Sequence, residues 1–295
     1  MKYQQIGRSE LQISKIGFGC MSLEANQDKA TELISQAIDF GINYFDTADL
    51  YQAGLNEEMV GKAIGAKRKQ VVLASKVGNQ LRADGSGWDW NPRKEYILSS
   101  VEKSLRRLGT DYIDLYQLHG GTIEDPIDET IEAFELLKAQ GKIRYYGISS
   151  IRPNVIREYV KRSSIISVMM QYSLLDRRPE ESCLELLEQN NISVLARGVL
   201  AGGLLVNKPA KEYLGHSTKE VEAIQNHIKA IPHAADAIAI QFALSKPVVA
   251  SAIIGIRTQA QLEAAVKGLE IELSSVELQQ LKEVVGVKVY EAHRG

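Results

Sequence analysis

The chain has 295 residues, 44% of them hydrophobic, enough for a large core, and a net charge of −2 that offers no electrostatic surface for nucleic acid or an anionic membrane. Its two cysteines, Cys20 and Cys183, make neither a disulfide framework nor a metal-ligand cluster and fit a reducing compartment. With no apolar leader stretch in Met1–Ser9 and no apolar run of membrane-spanning length, a soluble cytoplasmic protein is expected.

Residues 3–14 read as a short hairpin, Tyr3 to Ile6 and Leu11 to Ile13 about a turn at Gly7-Arg8-Ser9-Glu10. Ile16–Gly19 is a first strand. Asp28–Phe40 carries Ala30, Leu33, Ile34, Ala37 and Ile38 on one helical face, with Gly41 as its stop. Ile42–Phe45 is a second strand, Glu57–Ile64 a helix stopped by Gly65, and Val71–Ser75 a third strand, followed by a long polar loop from Val77 to Trp90. Asn91-Pro92 offers a cap and a first-turn proline to a helix ending at Gly109. Tyr112–Leu118 is a fourth strand. Asp128 caps the next helix, with Ile131, Phe134 and Leu137 inward and Gly141 beyond its end.

Strands at Ile143–Ile148, Ile166–Met170 and Ile192–Ala196 alternate with helices opened by Pro153 and Pro179, which run to about Lys161 and Gln189. A glycine-rich irregular stretch, 197–217, precedes helical periods at 219–230 and 234–244. A last strand, Val249–Ile254, leads to a helix over Gln259–Lys267. The capping-box spacing Ser274-x-x-Glu277 starts a final helix that runs to about Val285, and the tail from Tyr290 reads as flexible. Eight strands, most followed by a helix, predict an α/β fold: a (β/α)8 TIM barrel, one domain over residues 1–295, with a short N-terminal β-hairpin and an extra C-terminal helix. A doubly wound sheet is the competing architecture. Gly17-Phe18-Gly19-Cys20-Met21-Ser22 lacks the third glycine of G-x-G-x-x-G, and Gly198–Gly203 misses the spacing.

Barrel enzymes carry their reactive groups at the C-terminal ends of strands. Unusual polar residues fall there strand after strand: Asp46 and Tyr51, Lys76, His119, Ser149 and Ser150, Gln171, Arg197, and Arg257. A phenol is a poor acid alone, and a neighbouring ammonium favours its ionised form. Tyr51 is therefore expected as proton donor, Lys76 as the group that tunes it, Asp46 as the carboxylate that holds Lys76, and His119 as the group orienting a carbonyl. Taken singly each has a plainer reading: Tyr51 a core-edge residue, Lys76 a solvated strand end, His119 a hydrogen-bonded structural histidine, Asp46 a turn cap with Thr47.

The stretches Ile42-Asn43-Tyr44-Phe45-Asp46-Thr47-Ala48 with Tyr51, Ser75-Lys76, Asp114-Leu115-Tyr116-Gln117-Leu118-His119, Gly147-Ile148-Ser149-Ser150, Gln171-Tyr172-Ser173-Leu174-Leu175 and Gly255-x-Arg257 occur in that order. With them the whole chain resembles the aldo-keto reductase family. The resemblance implies a barrel that uses a nicotinamide cofactor, usually NADPH, to reduce aldehydes or ketones to alcohols.

It further implies that Ser149 and Gln171 hold the carboxamide and that Tyr172 stacks on the nicotinamide. Gly198, Leu200 and Gly202 would lie along the pyrophosphate and Arg257 would meet a 2′-phosphate; Ser150, Ser173, Leu174, Gly255 and Gln261 complete the expected cofactor contacts. Ser150 stands where the family often has Asn, Arg197 where near relatives have Gln and where it adds an ionic contact to the pyrophosphate, and Ala265 where Asn often reaches the adenine. Gly120-Gly121 replace a bulky aromatic after His119, which implies a pocket wider on that side, with Trp88 and Trp90 as an alternative aromatic wall against a small carbonyl substrate. Two other readings compete: a Schiff-base lyase with Lys76 as nucleophile, and a cofactor-binding barrel that regulates a partner protein. No metal ligand set, nucleic-acid partner or membrane contact is expected.

Overall fold

The computed structural model describes residues 1–284 and 286–295. A hairpin opens the chain, β1 (Tyr3–Gln5) pairing antiparallel with β2 (Gln12–Ser14). Eight parallel strands then close into a barrel. In chain order the strands after the hairpin are β3 (Ile16–Gly19), β4 (Tyr44–Asp46), β5 (Val72–Val77), β6 (Asn79–Leu81), β7 (Trp88–Trp90), β8 (Ile113–Leu118), β9 (Ile143–Ser149), β10 (Ser167–Gln171), β11 (Ser193–Arg197) and β12 (Val249–Gly255). The barrel order is β10-β11-β12-β3-β4-β5-β8-β9, and β6 with β7 forms a separate ribbon. The helices are α1 (Gln27–Asp39), α2 (Leu55–Ile64), α3 (Lys94–Leu108), α4 (Ile127–Ala139), α5 (Pro153–Arg162), α6 (Cys183–Gln189), α7 (Thr218–Ala230), α8 (Ala235–Leu244), α9 (Gln259–Lys267) and α10 (Ser275–Glu283). Among the described residues no helix is long and apolar enough to cross a membrane.

Parallel strands covered on both faces need apolar residues on both faces, and β5 and β8 are buried at every position. Side chains alternate between the two faces. Tyr44, Val72, Ala74 and Leu115 pack inside the barrel, whereas Phe45, Leu73, Val77, Tyr116 and Leu118 pack outward under the helices. Ile6, Leu11 and Ile13 of the N-terminal hairpin join the interior cluster, where they meet residues from the starts of strands such as Val72. Burying each of these aliphatic side chains contributes ~1.5–3 kcal/mol. The hairpin is thus a plug under the barrel, and the opposite end stays open.

Several local expectations need correction. The polar stretch after Val77 is ordered into the β6–β7 ribbon, with Asn79 opposite Trp90 and Leu81 opposite Trp88. Arg82 forks onto the Asp89 carboxylate across it, and Gly85 and Gly87 supply the left-handed residues of its turn. Its alternation is masked in sequence by the polar side chains of a two-stranded ribbon. Helix α3 begins at Lys94 after an extended Arg93, because the Asn91 side chain accepts from Arg93 N in a local turn before any helix starts. Pro126, not Asp128, precedes α4, and Asp128 sits in the first turn, where an acid meets the helix dipole.

The segment opened by Pro179 breaks at Ser182 into a short 3₁₀ turn, Arg178–Glu181, and α6. Ser274 and Glu277 do form a reciprocal capping box; the expected end of that helix at Val285 lies outside the described residues. The tail is docked: Tyr290 is buried beneath the Arg178 guanidinium, 4.8 Å from the ring centre, and the His293 carbonyl accepts from Asn154 N at 2.9 Å.

Candidate active site

Register sets the catalytic candidates side by side. Asp46 pairs with Ala74 across β4 and β5, Ala74 with Leu115, and Lys76 with Gln117 across β5 and β8. Two-residue alternation from Tyr44, Ala74 and Leu115 therefore aims Asp46, Lys76, Gln117 and then His119 at the open end of the barrel. Lys76 is a part of β5 rather than a residue beyond it.

The Lys76 ammonium has three protons and three acceptors: Asp46 Oδ2 at 2.5 Å, the Thr47 carbonyl at 2.8 Å and Tyr51 Oη at 3.3 Å. Gln117 donates to Asp46 Oδ1 at 3.2 Å. Burial disfavours charge on Lys76, but Asp46 and Tyr51 outweigh it, and the net direction is upward: the group is an ammonium at neutral pH. Burial pushes the Asp46 carboxyl up from the usual carboxylate range, while Lys76, Gln117 and Arg197 pull it back. The pair holds because each charge is answered by hydrogen bonds as well as by the other charge.

Tyr51 stands at the start of a short turn in which Gln52 and Ala53 adopt left-handed backbone, φ 50° and 54°. Such residues cost ~1–3 kcal/mol each and persist where surrounding contacts hold them; here the Gln52 amide donates to the Leu23 carbonyl at 2.8 Å, and α2 begins directly after. His119 meets Tyr51 edge-on, ring centres 5.8 Å apart. Burial, with the charges of Lys76 and Arg197, lowers the His119 imidazole to about 3, so it is neutral. Its Nδ1 is buried without a partner among the described residues, which leaves Nε2 as the nitrogen facing the cavity.

A cavity of about 780 Å³ opens over these groups, lined by Asp46, Tyr51, Lys76, His119, Trp88, Trp90, Ser149, Ser150, Arg197, Gly198 and Gly255 among others. Trp90 occupies the space beside Gly120, the first of the two glycines after His119. A Cβ on Gly78 would come within 2.6 Å of its ring, and one on Gly120 within 3.2 Å. The indole nitrogen donates to Asp125 at 3.0 Å. The expected widening is therefore filled by an aromatic wall from the β6–β7 ribbon.

The remaining expected cofactor residues divide. Leu200 and Gly202 lie on the loop after β11 but not on the cavity wall, and Arg257, whose N–H donates to Gln261 Oε1 at 2.8 Å, is exposed outside it. Gln171 donates its amide to Tyr213 Oη at 2.7 Å. Tyr172, Ser173 and Leu174 are buried; the Tyr172 hydroxyl is bonded to Glu180 and its ring stacks on Phe242, so it presents no free face to a nicotinamide. Sequence reading misses Gln117 and Arg152. The inward position two residues before His119 marks the first; nothing in the spacing marks the second, which reaches the cavity only because the loops after β8 and β9 are neighbours.

A nicotinamide dinucleotide fits this lining. Gly198 and Gly255 leave a cradle that side chains would close, since a Cβ would approach Gln171 Cγ to 3.0 Å or Ser22 Oγ to 2.3 Å. Ser149 and Ser150 offer hydroxyls and Arg197 a cation to the same space. The Schiff-base reading fares worse, because a nucleophilic amine must be free of its proton and Lys76 is held as a fully bonded ammonium.

Residues 15–285 match the model of the Aldo/keto reductase family. The chain is 50% identical over 306 aligned residues, covering all of both chains, to the uncharacterized oxidoreductase YqkF of Bacillus subtilis. It is 49% identical to aldo-keto reductase AKR11C1 from Bacillus halodurans, whose holo-form structure superimposes over 100% of both chains with a TM-score of 0.96. It is also 32% identical over 234 residues, 72% of each chain, to an NADH-specific methylglyoxal reductase of Escherichia coli.

Proposed function

The chain belongs to the aldo/keto reductase family of oxidoreductases, and on that premise we propose that it reduces an aldehyde or ketone to an alcohol with NADPH, using Tyr51, Lys76, Asp46 and His119. One observation carries the reading: a single ammonium bridges Asp46 and Tyr51 beside a neutral imidazole, at the floor of one open cavity. When bound, the reduced nicotinamide supplies two electrons and a proton as hydride to the carbonyl carbon. Tyr51 gives its proton to the carbonyl oxygen, which becomes the alcohol hydroxyl. General-acid help of this kind contributes about 10²–10⁴-fold.

Lys76 stabilises the negative charge left on the Tyr51 oxygen, and Asp46 and Gln117 keep Lys76 in place. Neutral His119 donates from Nε2 to the same carbonyl oxygen as charge grows there. Ser149 and Ser150 would hold the carboxamide, Gly198 and Gly255 would admit the dinucleotide backbone, and Arg197 would meet its phosphates. Arg257 and Gln261 at the outer rim are the candidates for a 2′-phosphate, which a guanidinium fork matches well.

The deciding experiment titrates NADPH and NADH and then follows loss of nicotinamide absorbance with a panel of aldehydes and ketones. NADPH is expected to bind more tightly, and Arg257→Ala to erase that preference. Tyr51→Phe is expected to remove turnover while keeping cofactor affinity; normal turnover in this variant would refute the assignment.

A further inference from the structure

Four charged side chains line the cavity: Asp46, Lys76, Arg152 and Arg197. Asp46 and Lys76 neutralise each other. Two guanidiniums remain, and they follow different strands. Arg197 ends β11. Arg152 follows β9 and reaches back over β8, where its Nη1 donates to the Gly121 carbonyl at 2.6 Å. Gly121 is two residues from His119, and chain geometry keeps the two Cα atoms within about 8 Å. Arg152 is thus anchored beside the reacting end of the cavity.

Arg152 is half-buried, and among the described residues no carboxylate lies within ion-pairing distance of it. Asp125, on the same loop as Gly121, is directed elsewhere: it accepts from Trp90 Nε1, Thr122 N and Thr122 Oγ1. One nitrogen of Arg152 holds the loop, and among the described residues its other donors have no protein acceptor. A guanidinium fork held this way matches the paired oxygens of a carboxylate or phosphate.

We propose that Arg152 is a substrate-anchoring residue, and that the preferred substrate is a short aldehyde or ketone bearing an oxyanion, a carboxylate or phosphate, a few bonds from its carbonyl. This rests on the reductase reading above and adds the substrate class to it. The carbonyl lies between Tyr51 and His119, the anionic group on Arg152, and the intervening carbons against Trp90. A neutral substrate of the same length leaves the Arg152 donors to water.

The test compares matched pairs at fixed ionic strength: 4-oxobutanoate with butanal, and glyceraldehyde 3-phosphate with glyceraldehyde. The wild-type protein is expected to favour the anionic member of at least one pair by about tenfold or more in kcat/KM, and the pair that responds identifies the anion. In Arg152→Gln that ratio is expected to fall about tenfold, mainly through KM, with Arg152→Lys in between. A ratio cancels any loss of folded protein, so a merely structural role for Arg152 lowers both members equally and overturns the proposal, as does a wild-type ratio near one in both pairs. Calorimetry of 4-hydroxybutanoate against butanol, with oxidised cofactor present, gives a readout free of turnover. Arg152-dependent binding of the acid supports the anchor even where no carbonyl is reduced, an outcome that would sink only the reductase reading; equal binding of acid and alcohol counts against the anchor alone.

Discussion

Asp49 and Lys76 are joined through their backbones, Asp49 N donating to the Lys76 carbonyl at 3.3 Å, yet their side chains are satisfied very differently. Every proton of the ammonium has an acceptor, whereas Asp49 Oδ1 is buried without a partner among the described residues. Behind it Glu57 is engaged by Ser75 and Arg107, at 2.5 and 2.7 Å. Burial first, and then the Glu57 charge, push Asp49 up to about 7, against the pull of Arg107 and Lys76.

The native state therefore keeps a proton that an unfolded chain, with Asp near 3.9, has released. Between about pH 4 and 7 the unfolded state binds fewer protons, so this residue makes stability fall as pH rises. Asp49→Asn is expected to flatten that slope and to be more stable than the parent above pH 7. Urea midpoints measured across pH 4–8 check this; parallel curves for the two proteins would contradict it.

Removing Asp46 leaves a charge with no counter-ion at a site where Lys76 is 1% exposed. Asp46→Ala is expected to cost about 3–5 kcal/mol of stability, the range for breaking a buried pair. The double variant Asp46→Ala/Lys76→Met is expected to recover part of that loss, because no unpaired charge remains. A denaturation double-mutant cycle reads the coupling, and strictly additive losses would count against it.

His119, lowered to about 3, binds fewer protons native than unfolded, where an imidazole titrates near 6.5. Its contribution is complete above pH 6.5 and is lost as pH falls toward 3. In an NMR titration its ring resonances are expected to stay those of the neutral form down to about pH 4. His119→Asn is expected to remove part of the acid lability in that window.

Gly78 and Trp90 are in contact through the absence of a side chain: a Cβ at 78 would sit 2.6 Å from the indole. Gly78 also holds φ at 127°, which other residues rarely adopt. Gly78→Ala is expected to displace the ring, break its bond to Asp125, shift tryptophan emission to the red and raise KM. Trp90→Phe keeps the wall but loses that bond, so a smaller rise in KM is expected. Equal KM values in the wild type and both variants would remove Trp90 from the substrate wall.

The barrel was readable because its strands are buried on both faces and its helices carry periodic apolar stripes, as in Ala30, Leu33, Ile34 and Ala37. The meeting of Asp46, Lys76 and His119 at one cavity was readable because they are polar residues at or beside the ends of apolar runs. What escaped depends on pairings distant in sequence. The β6–β7 ribbon needs Arg82 to meet Asp89, and Trp90 finds its seat only against Gly78 and Gly120. Tyr172 sits beside cofactor-type residues in sequence, but its hydroxyl is claimed by Glu180 and its ring by Phe242. Arg152 carries no local signature at all; its meaning comes from a carbonyl 31 positions away.

The N-terminal plug also bears on how the chain assembles. Residues 1–14 are made well before their partners: Gln4 donates to the Pro247 carbonyl, Gly7 N to Ser193 Oγ, and Lys2 pairs with Glu272. The hairpin can be seated only after the final strand is made. Contacts so remote in sequence slow folding, and the apolar surface of Ile6, Leu11 and Ile13 waits for Leu195, Ala250 and Ile253 before it is fully covered.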